Sequence, residues 1–144
     1  MPTRTANAQW DGTLTEGNGT MEFGSGAWSG QYSFSSRFEE GPGTSPEELI
    51  AAAHSGCFSM AFSLALEEAG HDPQSVSTSA DVHLTPKDGG GFEISRIDLH
   101  TRATVPGIDE EEFARVAEDA KRGCPVSVAL GGVGEITVDA QREG

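Results

Sequence analysis

The residues best able to do chemistry in this chain are its two cysteines, which stand in different surroundings. Cys57 lies in the middle of an apolar stretch running from Thr44 to Gly70, and Cys124 stands in Gly123-Cys124-Pro125, where a second helical pattern ends. In a reducing compartment a structural disulfide is unusual. The two thiols therefore read either as a catalytic or sensing pair or as two unrelated buried residues, and their number leaves both readings open. A redox pair needs one partly exposed thiolate with a cation nearby, and a second sulfur that reaches the sulfenic acid before it over-oxidises. The chain has only nine Lys and Arg, and Arg37 is the one placed just before the apolar stretch. Glu47 precedes Cys57 by ten residues, roughly 15 Å along a straight helix. It cannot touch the sulfur without a kink, but it can hold Arg37 through the bidentate guanidinium fork, or simply serve the helix dipole. His54, one turn before Cys57, makes a Cys–His pair of the kind a thiol hydrolase uses. It could also be half of a metal site, although no second pair at ligand spacing exists among His71, His83, His100 and Cys124. The bland alternative is a packed, hydrogen-bonded histidine.

These side chains need a helix to carry them, and the stretch around Cys57 signals one. Ser45 is an N-cap, Pro46 suits the first position, and Glu48 completes a capping box; Gly70 marks the left-handed close. Leu49, Ile50, Phe58, Met60, Phe62, Leu64 and Leu66 point in most directions, which predicts a helix buried on all sides. Phe58, Met60 and Phe62, together with aromatics of a partner chain, are expected to wall the space beside Cys57. Ser55-Gly56 is a weak point where a kink would put Cys57 near a fresh helix N-terminus.

Around this helix the pattern is of strands. Ala6–Thr13, Gly19–Phe23 and Gln31–Phe38 read as short strands; in the third, Tyr32, Phe34 and Phe38 alternate with Ser33, Ser35 and Arg37, which turns Arg37 away from the aromatics. Ser77–Leu84 alternates next. Ile97, Leu99, Thr101, Ala103 and Val105 then form one face of a long strand, with Arg96, Asp98, His100, Arg102 and Thr104 on the other, as in an antiparallel sheet. Asp109 caps a second helix with Phe113, Val116, Ala117 and Ala120 inward, ended by Gly123 and by Pro125, which cannot continue it. Glu135–Gln141 is a last strand with Ile136 and Val138 inward. The expected class is α+β, with helices to one side of antiparallel sheets.

At 144 residues one domain is expected over residues 1–144. The net charge of −14 argues against nucleic acid and against an anionic membrane surface. No signal peptide is read at the N-terminus and no run is read as approaching a membrane span, so the expected location is cytoplasmic. With 35% hydrophobic residues, a helix buried all round calls for a second copy of the chain to cover it.

Arg37-Phe-Glu, the block Gly43-Thr-Ser-Pro-Glu-Glu-Leu-Ile-Ala-Ala-Ala-His-Ser-Gly-Cys-Phe-Ser-Met-Ala, Val105-Pro-Gly-Ile and Gly123-Cys-Pro-Val-Ser together resemble the OsmC/Ohr family. Arg-Phe-Glu and His54 point to its OsmC branch. The resemblance implies an OsmC-like fold: antiparallel sheets wrapped around a buried central helix in an intertwined homodimer. It implies a thiol peroxidase for organic hydroperoxides with no cofactor and no metal, active in oxidative or osmotic stress. Cys57 matches the family's peroxidatic cysteine, Cys124 its resolving cysteine, Arg37 the arginine that holds the thiolate and Glu47 the carboxylate that orients it. An external dithiol, in this family plausibly a lipoylated protein, would restore the thiols. A different class of reading is a non-catalytic stress protein binding an apolar ligand or partner in the dimer cleft. A thiol-based sensor is a third reading, but it lacks a DNA-binding element.

Overall fold

Ten elements follow one another in the computed structural model, which describes residues 1–143: β1 (Ala6–Asp11), β2 (Asn18–Phe23), β3 (Ser29–Tyr32), α1 (Phe34–Phe38), α2 (Pro46–Glu68), β4 (Ser75–Pro86), β5 (Phe92–Thr104), α3 (Glu110–Gly123), α4 (Pro125–Ala129) and β6 (Glu135–Glu143). They fall into two compact units, Met1–Leu49 and Ile50–Gly144.

In the first unit β1, β2 and β3 form an antiparallel sheet in that order. Gly19 pairs with Trp10 on one side and Tyr32 on the other, and those two rings lie 5.3 Å apart. A Cβ at Gly19 would come within 2.6 Å of the Trp10 ring and 2.7 Å of the Tyr32 ring. The position is therefore closed to any other residue.

The strand expected over Gln31–Phe38 stops at Tyr32. Ser33 caps a short helix instead: its hydroxyl accepts from the Ser36 amide at 3.1 Å, and the Ser36 hydroxyl accepts from the Ser33 amide at 2.8 Å. This reciprocal serine box prevails over the aromatic alternation. Phe34 and Phe38 become helical neighbours with rings 5.0 Å apart. Arg37 does not turn away from the aromatics, since its guanidinium carbon lies 5.2 Å from the Phe38 ring centre. The Ser36 hydroxyl also donates to the Thr44 carbonyl at 2.7 Å, which ties α1 to the chain entering α2.

Helix α2 opens as expected, with the Glu48 amide donating to Ser45 Oγ at 3.1 Å, although the Glu48 carboxylate takes the Thr44 hydroxyl. Gly70, at φ +90°, closes it, and the His71 amide donates back to the Leu66 carbonyl at 2.9 Å. The helix runs through Ser55-Gly56 without a break. The Ser55 hydroxyl satisfies itself on the Ala51 carbonyl at 2.8 Å, and the space beside Gly56 is open.

In the second unit the strand order is β4-β5-β6. β4 and β5 are antiparallel, but β6 runs parallel to β5, which corrects the all-antiparallel expectation. The α3–α4 segment is long enough to carry the chain back to the same end of the sheet, which a tight hairpin cannot do. Ile97, Leu99, Thr101 and Ala103 of the β5 face, and Val105 just past its end, are all buried, as their alternation predicts. Leu99, Ala103 and Val105 pack with Phe113, Val116, Ala117 and Ala120 of α3 and with Phe58, Phe62 and Leu66 of α2.

Within the single chain, α2 is not buried on every side. His54, Phe58, Phe62 and Leu66, spaced by four, are fully enclosed, whereas Met60 is 77% and Leu64 55% exposed. The helix is also long and apolar enough to cross a membrane by length and composition, contrary to the expectation that no run approaches a span. Its alanines, serines and glycine, which look unremarkable one at a time, leave few charges to interrupt the run.

Candidate active site

The second unit brings the two thiols together. Cys57 rides on α2, and Cys124 is the single residue between α3 and α4. Cys124 closes α3 by donating its amide to the Ala120 carbonyl at 2.9 Å, so α3 ends without a left-handed glycine. Pro125 then takes the first position of α4, where its missing amide costs nothing. The helix break at Pro125 was legible, but the new helix after it was not. The Cys57 and Cys124 Sγ atoms are hydrogen-bonded at 3.1 Å, and both thiols are free. That is well beyond the ~2.05 Å of a disulfide but close enough for one to form with little movement.

The two sulfurs are not equivalent. Burial pushes the Cys57 thiol up, and its hydrogen bond and charge interaction with Cys124 push the same way, against the Val126 amide. Burial also pushes Cys124 up, but the Cys57 thiol, the Ser127 amide and hydroxyl, and the Val126 amide outweigh it and bring Cys124 below its ordinary value. Among the described residues no cationic side chain is one of the groups that act on Cys57.

In the first unit Arg37 and Glu47 form a two-pronged ion pair, Nε to Oε1 at 2.9 Å and Nη2 to Oε2 at 3.0 Å. Glu47 is one of the few buried residues of this unit, while Arg37 remains partly exposed. The guanidinium borders a cavity of ≈ 420 Å³ lined by Trp10, Leu14, Tyr32, Phe34 and Phe38. The apolar wall predicted from Phe58 and Phe62 is not there: both are sealed in the core of the second unit, and Met60 lies on the surface. The aromatics that do line an apolar cavity are those of the first unit, Trp10, Tyr32, Phe34 and Phe38.

His54 does not turn to Cys57. Its Nε2 lies 2.7 Å from the Ser127 hydroxyl, in the interior. Ser127 carried no role in the sequence reading. Its one signal was spacing: it follows Cys124 by three residues, as Cys57 follows His54. Among the described residues no group of three or more His, Cys, Asp or Glu is placed to hold a metal ion.

Residues 39–139 match the family model described as OsmC-like protein. The chain is 50% identical over 135 residues to Peroxiredoxin OsmC of Escherichia coli K12, covering 93% of this chain and 92% of that one. It is 33% identical over 99 residues to the Organic hydroperoxide resistance protein of Xanthomonas axonopodis pv. citri, covering 68% and 67%. Among solved structures, an OsmC-like protein of unknown function from Vibrio cholerae has the same fold, with a TM-score of 0.75 at 18% identity over 97% of this chain and 99% of that one. An organic hydroperoxide resistance protein from Elizabethkingia anophelis superposes with a TM-score of 0.68 at 26% identity over 99% and 98%.

Proposed function

The chain belongs to the OsmC-like family, and on that premise we propose that it is a thiol peroxidase that reduces organic hydroperoxides to alcohols in defence against oxidative stress. The observation that carries this reading is the pair of free thiols 3.1 Å apart on one rigid core. The Cys57 thiolate attacks the distal oxygen of ROOH. The O–O bond breaks, the alkoxide takes up a proton and leaves as alcohol, and Cys57 becomes a sulfenic acid. Cys124 then displaces its oxygen as water, forming the Cys57–Cys124 disulfide. An external dithiol, such as a lipoylated protein, reduces that bond by exchange. No cofactor takes part.

Arg37, oriented by Glu47, is the cation that favours the Cys57 thiolate and the negative charge developing on the leaving oxygen. Support comes from the two-pronged grip of Glu47 and from the lack of any cation acting on Cys57 within its own unit. The apolar cavity beside Arg37 takes the organic part of the substrate, which gains about 25 cal/mol per Å² buried, while hydrogen peroxide gains almost nothing. The working form is an intertwined homodimer in the cytoplasm, with α2 at its centre. The exposed Met60 and Leu64 support a second copy as their cover.

Two measurements test this. Steady-state turnover of cumene hydroperoxide, a fatty-acid hydroperoxide and hydrogen peroxide, with dihydrolipoamide and thioredoxin as alternative donors, should show a strong preference for the organic peroxides; equal efficiency for hydrogen peroxide would refute the substrate assignment. Sedimentation across a wide concentration range should show a dimer, and a compact, active species near the 15.1 kDa of one chain would refute the assembly.

A further inference from the structure

His54 takes no part in the steps above, yet it occupies the interior. It stands in the stripe of α2 that continues with Phe58, Phe62 and Leu66, where an apolar side chain would fill the space without polar cost. Its Nδ1 has no hydrogen-bond partner among the described residues, and a buried polar atom left in that state carries a penalty. Nε2 meets the Ser127 hydroxyl at 2.7 Å. Ser127 stands in the first turn of α4, three residues after Cys124, which caps that helix; its hydroxyl acts on the Cys124 sulfur in the sense that favours its thiolate, and Cys124 lies 3.1 Å from Cys57. The order along this line is imidazole, hydroxyl, resolving sulfur, peroxidatic sulfur.

A serine hydroxyl has one proton to give. If it goes to sulfur, the oxygen must accept from His54, so Nε2 carries the hydrogen and Nδ1 is the bare nitrogen. That is the neutral imidazole, the form that burial favours for His54. The unpartnered nitrogen is then a lone pair and not an orphaned N–H, the rarer defect.

We propose that His54 and Ser127 are positioning residues for the second half of the reaction: His54 Nε2–H donates to Ser127, and Ser127 donates to Cys124, holding that sulfur aimed at Cys57. The inference rests on the peroxidase reading. Once Cys57 is a sulfenic acid, the Cys124 thiolate attacks the Cys57 sulfur. The S–S bond forms, the S–O bond breaks, and hydroxide leaves to take up the proton that the Cys124 thiol had released. The Cys124 sulfur is oxidised, the sulfenic Cys57 sulfur is reduced, and the oxygen leaves as water. The relay decides whether resolution outruns attack by a second peroxide.

The test uses the full-length reduced protein and stoichiometric cumene hydroperoxide, following Cys57 oxidation by sulfenic-acid trapping, disulfide formation by rapid quench, and over-oxidation by intact mass. Ser127→Ala should oxidise Cys57 at a rate close to the parent's, form the disulfide roughly fivefold to tenfold more slowly, as expected for one hydrogen bond, and accumulate sulfinic acid. Ser127→Thr should restore resolution, and His54→Leu should act like Ser127→Ala without adding to it. Both half-reactions slowing together, or an unchanged rate of disulfide formation in Ser127→Ala, would overturn the proposal. A second readout needs no peroxide. In a Cys57→Ser background, Ser127→Ala should move the alkylation midpoint of Cys124 to higher pH, and an unmoved midpoint overturns the relay whatever the enzyme's activity. A parent protein that never oxidises Cys57 would instead overturn the peroxidase reading, and the role in resolution with it.

Discussion

The two units differ in what holds them. The second has an apolar interior in which residues from α2, β5 and α3 are fully enclosed, with Phe62 meeting Phe58 at 5.5 Å and Phe113 at 5.3 Å. In the first, only Gly19 and Glu47 are buried, and the aromatics pair with one another at partial exposure. The chemistry proposed above divides along the same line. The thiols are fixed in the unit with a core, where close packing holds two sulfurs within hydrogen-bond reach. The cation belongs to the unit without one, where a buried carboxylate and a serine box hold a single arginine in place. Precision is needed where a bond must form between two fixed atoms; an apolar cavity beside a charge can tolerate a looser scaffold.

The largest effect should come from the thiols themselves. Cys57→Ser should abolish peroxide turnover, while Cys124→Ser should consume one peroxide per site and then over-oxidise, as read by mass spectrometry; a Cys57→Ser protein with normal turnover would sink the mechanism. Next comes the core that holds them. Phe62→Ala should lower stability by about 3–5 kcal/mol in denaturant titration, against a much smaller loss for Phe34→Ala in the first unit; similar losses would erase the contrast between the units.

Arg37→Ala probes the other side of the division. It should raise the Cys57 thiol by about 1–2 pKa units and slow the first oxidation in proportion, measured as alkylation rate against pH. Arg37→Lys should also fall short because it lacks the fork that Glu47 grips. An unchanged profile would show that the first unit contributes nothing to the thiolate.

The smallest effect concerns the wet face of β5. A hydrogen bond from the Thr137 hydroxyl, with help from Arg96 and His83 and against some burial, lowers Asp98 from 3.8 to about 2. A carboxylate depressed on folding stabilises the fold above its unfolded value and loses that contribution as pH falls through its folded one. Asp98→Asn should therefore cost roughly 1 kcal/mol at neutral pH and flatten the decline in stability between pH 3.8 and about 2. An equal acid decline in the variant would place the effect elsewhere.

Much of this molecule could be read from the chain because local signals agreed with tertiary ones. The caps of α2 and α3, the stop at Gly70 and the alternation of β5 are each set by neighbouring residues. The Arg37–Glu47 pair was one of two readings the chain left open for Glu47, the other being service to the helix dipole, and the fold selects the pair. The misreadings share a cause in signals that two structures can satisfy. Tyr32, Phe34 and Phe38 fit a strand until Ser33 and Ser36 close a helix. Phe58 and Phe62 looked like pocket walls because nothing local distinguishes a core ring from a lining one. The direction of β6 depends on where α3 and α4 deliver the chain, which periodicity does not encode. Ser127 was invisible because its meaning lies in contacts with His54 and Cys124, made only in the fold.

The parallel neighbour also dictates an order of events in time. β4 and β5 are joined by the turn at Lys87–Gly91, so their pairing is local and closes at little entropic cost. β6 can join β5 only after the whole α3–α4 crossover has found its place, the slower and less local step. Cys124 rides on that crossover. The contact between the two cysteine sulfurs therefore belongs to the non-local step and not to the local hairpin.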